Sequence, residues 1–220
     1  MSSSRKHNTL FIKEIYRSIQ GESTWAGFPC VFVRLTGCDL RCVWCDADHA
    51  FTGGDRLALE EVVDRVEALA CPLVEITGGE PLLQPAVHPL MAALLDRGHR
   101  VLIETGGHLD ISGIDPRAVR ILDVKCPASG ESQKVRWENL NVLRQGDQVK
   151  FVLSDRADYD WARDVVRRYD LPGRADVLFS VAHGLLSPAD LAAWLLEDRL
   201  PVRLQLQIHK YIWDPDTPRI

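Results

Sequence analysis

The chain is short of cysteine, methionine and aromatic residues: six cysteines, two methionines and 7% Phe, Trp and Tyr in 220 residues. Six cysteines, three of them within eight positions, do not make a disulfide framework, and no signal peptide is expected. Reduced thiols in the cytosol are therefore the expectation. No apolar run approaches the length of a membrane span, so no membrane partner is expected. Positive charge is also in deficit, with 26 Lys and Arg against 31 Asp and Glu and a net charge of −5. That balance gives no electrostatic reason to expect a nucleic-acid partner. Pro/Ser-rich linkers and low-complexity inserts are missing too. The expectation is one domain over 1–220, with a short C-terminal tail from about 212 to 220, large enough to bury a core and bind a small molecule.

What is present is an alternation of strand-like and helix-like segments. The runs 31–35, 73–77, 101–104, 121–125, 149–153 and 177–181 are rich in Val, Ile, Leu and Phe, as strands covered on both faces are. Between them Leu59, Val62, Val63, Val66 and Leu69 recur at helical spacing, as do Leu90, Leu94 and Leu95. A later helix is predicted over 159–169, and another from Ser187-Pro188, where Ser can cap and Pro can occupy the first turn. The pattern predicts an α/β protein: an incomplete (β/α) barrel of about six strand–helix units, with a flat doubly wound sheet as the rival. Either plan gathers functional residues where strands end.

At the first such end stand Cys38, Cys42 and Cys45, spaced Cys-x3-Cys-x2-Cys, with no nearby fourth ligand in a zinc-like spacing. Structural zinc takes four protein ligands, usually as two pairs, and would need His49 to complete an irregular set. A four-iron cubane ordinarily takes four thiolates, so three leave one iron open to a ligand. Cys30, Cys71 and Cys126 stand apart and read as small buried side chains. Later strand ends carry Thr77-Gly78-Gly79-Glu80-Pro81, Glu104-Thr105-Gly106-Gly107 and Asp123-Val124-Lys125. Paired glycines let backbone approach a ligand closely, and their recurrence at equivalent ends exceeds what turns alone require. Arg34, inside an otherwise apolar strand, is a poor candidate for a mere surface ion pair.

The cysteine triplet, with Trp44 before its last member and Gly78-Gly79-Glu80-Pro81 behind it, resembles the radical S-adenosylmethionine superfamily. The resemblance implies a [4Fe-4S] cluster on the three cysteines, S-adenosyl-L-methionine on the open iron, and a 5′-deoxyadenosyl radical that abstracts hydrogen from substrate. Two further stretches, 14–22 with Gln20-Gly21-Glu22 and 203–211 with Gln205-Leu206-Gln207-Ile208-His209-Lys210, narrow the resemblance over nearly the whole chain to the 7-carboxy-7-deazaguanine synthases. That likeness implies ring contraction of a carboxylated tetrahydropterin with loss of ammonia, an electron donor such as a flavodoxin-type protein, a homodimer, and magnesium assisting the rearrangement. It places Ile19, Gln20, Gly21, Arg34 and Thr77 on the pterin. It places Gly79, Asp123, Val124, Lys125, Ser180, Val181, Ala182 and His183 on S-adenosylmethionine. Glu104 and His209 are the expected catalytic groups.

One departure concerns magnesium. Many relatives have Thr or Ser two residues after the last cysteine, whereas here the order is Cys45-Asp46-Ala47-Asp48. Water and substrate oxygens could fill the site with Asp46 or Asp48 behind them, or magnesium could be dispensable. The longer tail also puts any substrate contact carried over to Pro215 in doubt. Two alternatives remain at this level: a glycyl-radical activase, which shares the cysteine spacing, and a non-catalytic structural metal-binding module.

Overall fold

The computed structural model describes residues 8–214, so the expected tail from Pro215 onward lies outside it, while Ile212 at its start ends a short helix, His209–Ile212. β1 (Thr9–Ile19) and β2 (Pro29–Leu35) form an antiparallel hairpin, and β3 (Asp55–Ala58) pairs antiparallel with the start of β1. From β2 onward every pairing is parallel: β4 (Leu73–Gly78), β5 (Arg100–Thr105), β6 (Val119–Asp123), β7 (Gln148–Leu153), β8 (Asp176–Val181) and β9 (Arg203–Gln205). The order β3-β1-β2-β4-β5-β6-β7-β8-β9 rises from β2 without reversing. A doubly wound sheet reverses at a switch point. The singly wound, unclosed plan is therefore the one adopted.

The two faces of the sheet differ. Val31, Val33, Val74, Ile76, Val101, Ile103, Val149, Phe151, Val177 and Phe179 are buried under α1 (Leu59–Ala68), α2 (Val87–Asp96), α3 (Arg156–Tyr169) and α4 (Pro188–Asp198). Alternate positions point the other way, because strand side chains have a period of two. There stand Arg34 beside Thr77 and Asp123 beside Lys150 in register, with Glu75 and Glu104 on the strands between. The runs read from sequence as covered on both faces thus hide a polar inner face, and that face lines the site.

Helix boundaries follow local chemistry. α3 starts three residues ahead of the expected position because the Asp155 side chain accepts the Asp158 N–H at 2.8 Å, while Ser187 caps α4 as anticipated. No α-helix links β5 to β6 or β6 to β7, so six strand–helix units become four covering helices among the described residues. In the first link Asp110 and Asp115 accept backbone N–H groups two residues on, which makes turns. In the second, the segment 126–141 holds three 3₁₀ turns, and the pairing with β7 runs out at Asp123↔Lys150. β6 therefore stops at Asp123 rather than Lys125. None of the described helices is long and apolar enough to cross a membrane.

Candidate functional site

A cavity of about 660 Å³ opens over the C-terminal ends of the parallel strands, on the polar face. One side is the cluster loop that follows β2. Gly37 N–H bonds Ala50 O (2.8 Å), Glu80 N–H bonds Gly37 O (2.8 Å) and Val43 N–H bonds Ser129 O (3.1 Å). Side chains add to this backbone frame: Glu131 accepts the Arg41 N–H at 2.7 Å, and the His108 imidazole meets Asp39 at 2.7 Å. Lys134 donates to Asp39 O at 3.2 Å. A Cβ on Gly78 would strike Leu35 backbone, and one on Gly79 would strike Gly37 O and the Cys38 Cβ. The paired glycines are thus required by strand-end packing against the cluster loop, in addition to any ligand.

Cys38, Cys42 and Cys45 all line this cavity. Burial raises all three thiols, Cys42 to about 11 although Lys125 pulls the other way, so iron must displace their protons on binding. Among the described residues no three His, Cys, Asp or Glu side chains converge on a point that could hold a single ion. Three thiols lining one cavity, with the other three cysteines buried elsewhere, suit a polynuclear cluster with an open iron. Asp123 Oδ1 is buried in the wall with no partner among the described residues, and can accept from an amine or hydroxyl of a ligand bound there.

Opposite the cysteines lies a charge lattice centred on Lys150. Its Nζ donates to Glu22 Oε2 at 2.8 Å and to Glu104 Oε1, and stands 3.5 Å from Asp123 Oδ2. Burial opposes the Lys150 charge, but Glu104, Glu22 and Asp123 outweigh it and hold its pKa well above the usual value. Glu22 and Asp123 are lowered in turn: burial works against ionisation, and Lys150 for Glu22, with Lys125 and Lys150 for Asp123, overcomes it. Glu75, 3% exposed, behaves oppositely, its carboxyl pushed up by burial and by Glu104. Arg34 bonds Glu14 through Nε (2.8 Å) and Tyr16 through Nη2 (3.1 Å), which leaves Nη1 for a ligand carboxylate.

The C-terminal segment closes the third side. Gln205 and Gln207 both donate to Glu22, at 3.2 and 2.8 Å, and the Ile208 N–H bonds Gly21 O at 2.9 Å. The His209 ring packs where a Cβ on Gly21 would be, and burial lowers its pKa despite Glu22 and Asp46. The Gln-x-Gln-x-His-Lys pattern is therefore a latch that fits the Gln20-Gly21-Glu22 turn.

Most of the expected site residues meet in this cavity: Ile19, Gln20, Gly21, Arg34, Thr77, Gly79, Glu104, Asp123, Lys125, Ala182, His183 and His209, with the three cysteines. Val124, Ser180 and Val181 do not line it. Val124 and Ser180 are fully buried and Val181 is 4% exposed, with the Ser180 hydroxyl unpartnered among the described residues. Gln20 lines the cavity but spends its amide internally, accepting from Glu22 N–H at 2.8 Å and donating to Glu75. Gln20 is thus also a hub that shapes the turn. Sequence reasoning missed Glu22, Glu75, Lys150, Gln207 and Lys210 as site residues. The signal was there for Glu75 and Lys150, each a lone charge in an apolar strand, the same mark that singled out Arg34.

A model of the Radical SAM superfamily matches residues 32–123. The chain is 50% identical to the 7-carboxy-7-deazaguanine synthase of Koribacter versatilis over 94% of this chain and 98% of that one. It is 45% identical to that of Chlorobaculum tepidum, over 94% and 96%. Its fold is similar to the crystal structure of QueE from Escherichia coli, with a TM-score of 0.73 at 20% identity, covering 94% of this chain and 99% of the other. With the cysteine triplet, the strand-end glycines and the C-terminal latch set around one cavity, the chain belongs to the 7-carboxy-7-deazaguanine synthase family of the radical S-adenosylmethionine superfamily.

Proposed function

We propose that this cavity converts 6-carboxy-5,6,7,8-tetrahydropterin to 7-carboxy-7-deazaguanine with loss of ammonia, in queuosine and deazapurine biosynthesis. The observation that carries the reading is that one cavity contains both the three cysteines and a polar sheet face bearing Arg34, Thr77, Glu104 and Lys150. Cys38, Cys42 and Cys45 would hold a [4Fe-4S] cluster, which, with S-adenosylmethionine bound, supplies one-electron hydrogen abstraction. Arg34, braced by Glu14 and Tyr16, offers a planar guanidinium edge that suits the substrate carboxylate. Glu104, bonded to Lys150 and 3.5 Å from the Thr77 hydroxyl, would take and return protons as the nitrogen leaves. His209, whose pKa burial lowers, can donate or accept at the Gly21 turn. The same reading includes a flavodoxin-type electron donor, a homodimer and a cytosolic setting.

The test is anaerobic reconstitution with iron and sulfide, followed by reductant, S-adenosylmethionine and the carboxylated pterin, with products read by mass spectrometry. Carboxydeazaguanine is the expected product. Reductive cleavage of S-adenosylmethionine without it would leave the superfamily standing and refute the substrate. Cys38→Ala, Cys42→Ala and Cys45→Ala should each abolish turnover, and full activity in any one refutes the ligand set. Glycyl-radical activation and a structural metal module find no support in the cavity, since neither accounts for its inward-facing charges.

A further inference from the structure

The divalent cation implied by the family does not fit the residues beside Cys45. Magnesium favours six oxygen ligands at about 2.1 Å. Here Ala47 presents a methyl group where an oxygen ligand would be needed. The adjacent carboxylate, Asp46, is already engaged: Lys210 Nζ and Gln207 Nε2 both donate to its Oδ2 at 3.2 Å. A divalent ion on that carboxylate would be repelled by the ammonium across a short gap.

Lys210 is set in place by its surroundings. The Ile208 N–H is fixed on Gly21 O (2.9 Å), the Lys210 N–H bonds Gln207 O (2.9 Å) and Gln207 is tied to Glu22 (2.8 Å). The Lys210 side chain is 13% exposed and lines the same cavity as Arg34 and the cysteines. An ammonium has three donors, so the bond to Asp46 leaves others for a ligand.

We infer that the Lys210 ammonium, held on Asp46, stands in for a divalent cation at this end of the cavity and grips an anionic oxygen of the carboxylated substrate, so that substrate binding needs no magnesium. The inference rests on the pterin reading above.

The measurement is equilibrium binding of the carboxylated tetrahydropterin to the reconstituted protein with S-adenosylmethionine present, in EDTA and in millimolar magnesium. Wild type should bind equally in both. Lys210→Gln should weaken binding by about tenfold in both media, with iron content unchanged. Tetrahydropterin lacking the carboxylate separates direct contact from general damage, because its affinity should be the same for wild type and Lys210→Gln. Mn2+ titrated as a paramagnetic probe should remain hydrated in the wild-type complex. Tighter wild-type binding with magnesium, bound Mn2+, or an equal loss for both pterins would overturn the inference while leaving the substrate standing. Failure of wild type to bind the carboxylated pterin in either medium overturns the pterin reading and the inference with it.

Discussion

Glu75 shows how one residue sets a pH dependence. Burial and Glu104 raise its carboxyl, Lys150 only partly countering them, so the folded chain keeps a proton that the unfolded chain releases in the ordinary carboxylate range. Its contribution is then complete below the unfolded value of about 4.3 and is lost as pH rises through the higher folded value. Glu75→Gln keeps an acceptor for the Gln20 amide and cannot ionise. Its thermal midpoint should match wild type near pH 4 and exceed it at about pH 9; a midpoint equal to or below wild type at the alkaline end refutes the account. Gly21 makes a steric argument at the same scale. Gly21→Ala places a methyl group in the His209 ring, and overpacking of that kind costs about 1–3 kcal/mol. Chemical denaturation should show that loss, and His209→Ala in the same chain should recover most of it.

Among the elements, the segment 126–134 works as a strap on the cluster loop. Ser129 O takes the Val43 N–H, and Glu131, itself paired with Lys134 at 2.7 Å, takes the Arg41 N–H. Glu131→Ala leaves that N–H without its carboxylate, a charge-assisted bond of about 1.5–3 kcal/mol. Iron release from the reconstituted protein to a chelator should be faster, and the thermal midpoint of the metal-free chain should fall by several degrees. An unaltered release rate would make the strap mere covering. This element was not legible in the sequence. A strand–helix plan predicts a helix between β6 and β7, but Pro127 and Gly130, in left-handed conformation at φ +81°, favour tight turns instead. β1, β3 and β9 escaped for a different reason: their half-exposed or short patterns fall below the apolar runs that marked the other strands.

For the molecule as a whole, the two ends of the sheet have separate duties. Away from the cavity, Asp147, with a side chain 2% exposed, precedes β7 and ties its neighbours. It accepts the Arg120 N–H at 3.0 Å and the Arg144 N–H at 3.1 Å, pairs with the buried Arg120 guanidinium at 3.4 Å, and its carbonyl takes the Asp176 N–H at 3.0 Å. Removing one partner of a buried pair strands the other, at a cost of about 3–5 kcal/mol. Asp147→Ala should lower the denaturation free energy by that order while leaving the KM of the folded fraction near wild type. A large KM change would show that the two ends are coupled. This division follows from parallel winding, which sends all the loops that carry ligands to one end.

The sequence by itself determined what depends on neighbouring positions: the spacing of Cys38, Cys42 and Cys45, the glycine pairs at strand ends, the helix stripes, the Ser187 cap and the family they spell out together. It also placed Thr77 and Glu104 at strand ends and Arg34 inside its strand. Only the tertiary structure decided which charges meet. Lys150 and Glu22 are 128 positions apart, and no local rule links them; winding the strands in order around one concave face does. The same winding turned Gln20 into an internal hub and brought Lys210 onto Asp46, 164 positions away. The identity of a cluster ligand is written in short-range spacing, whereas the electrostatics of a cavity are a sum over strands that the chain unites only when folded.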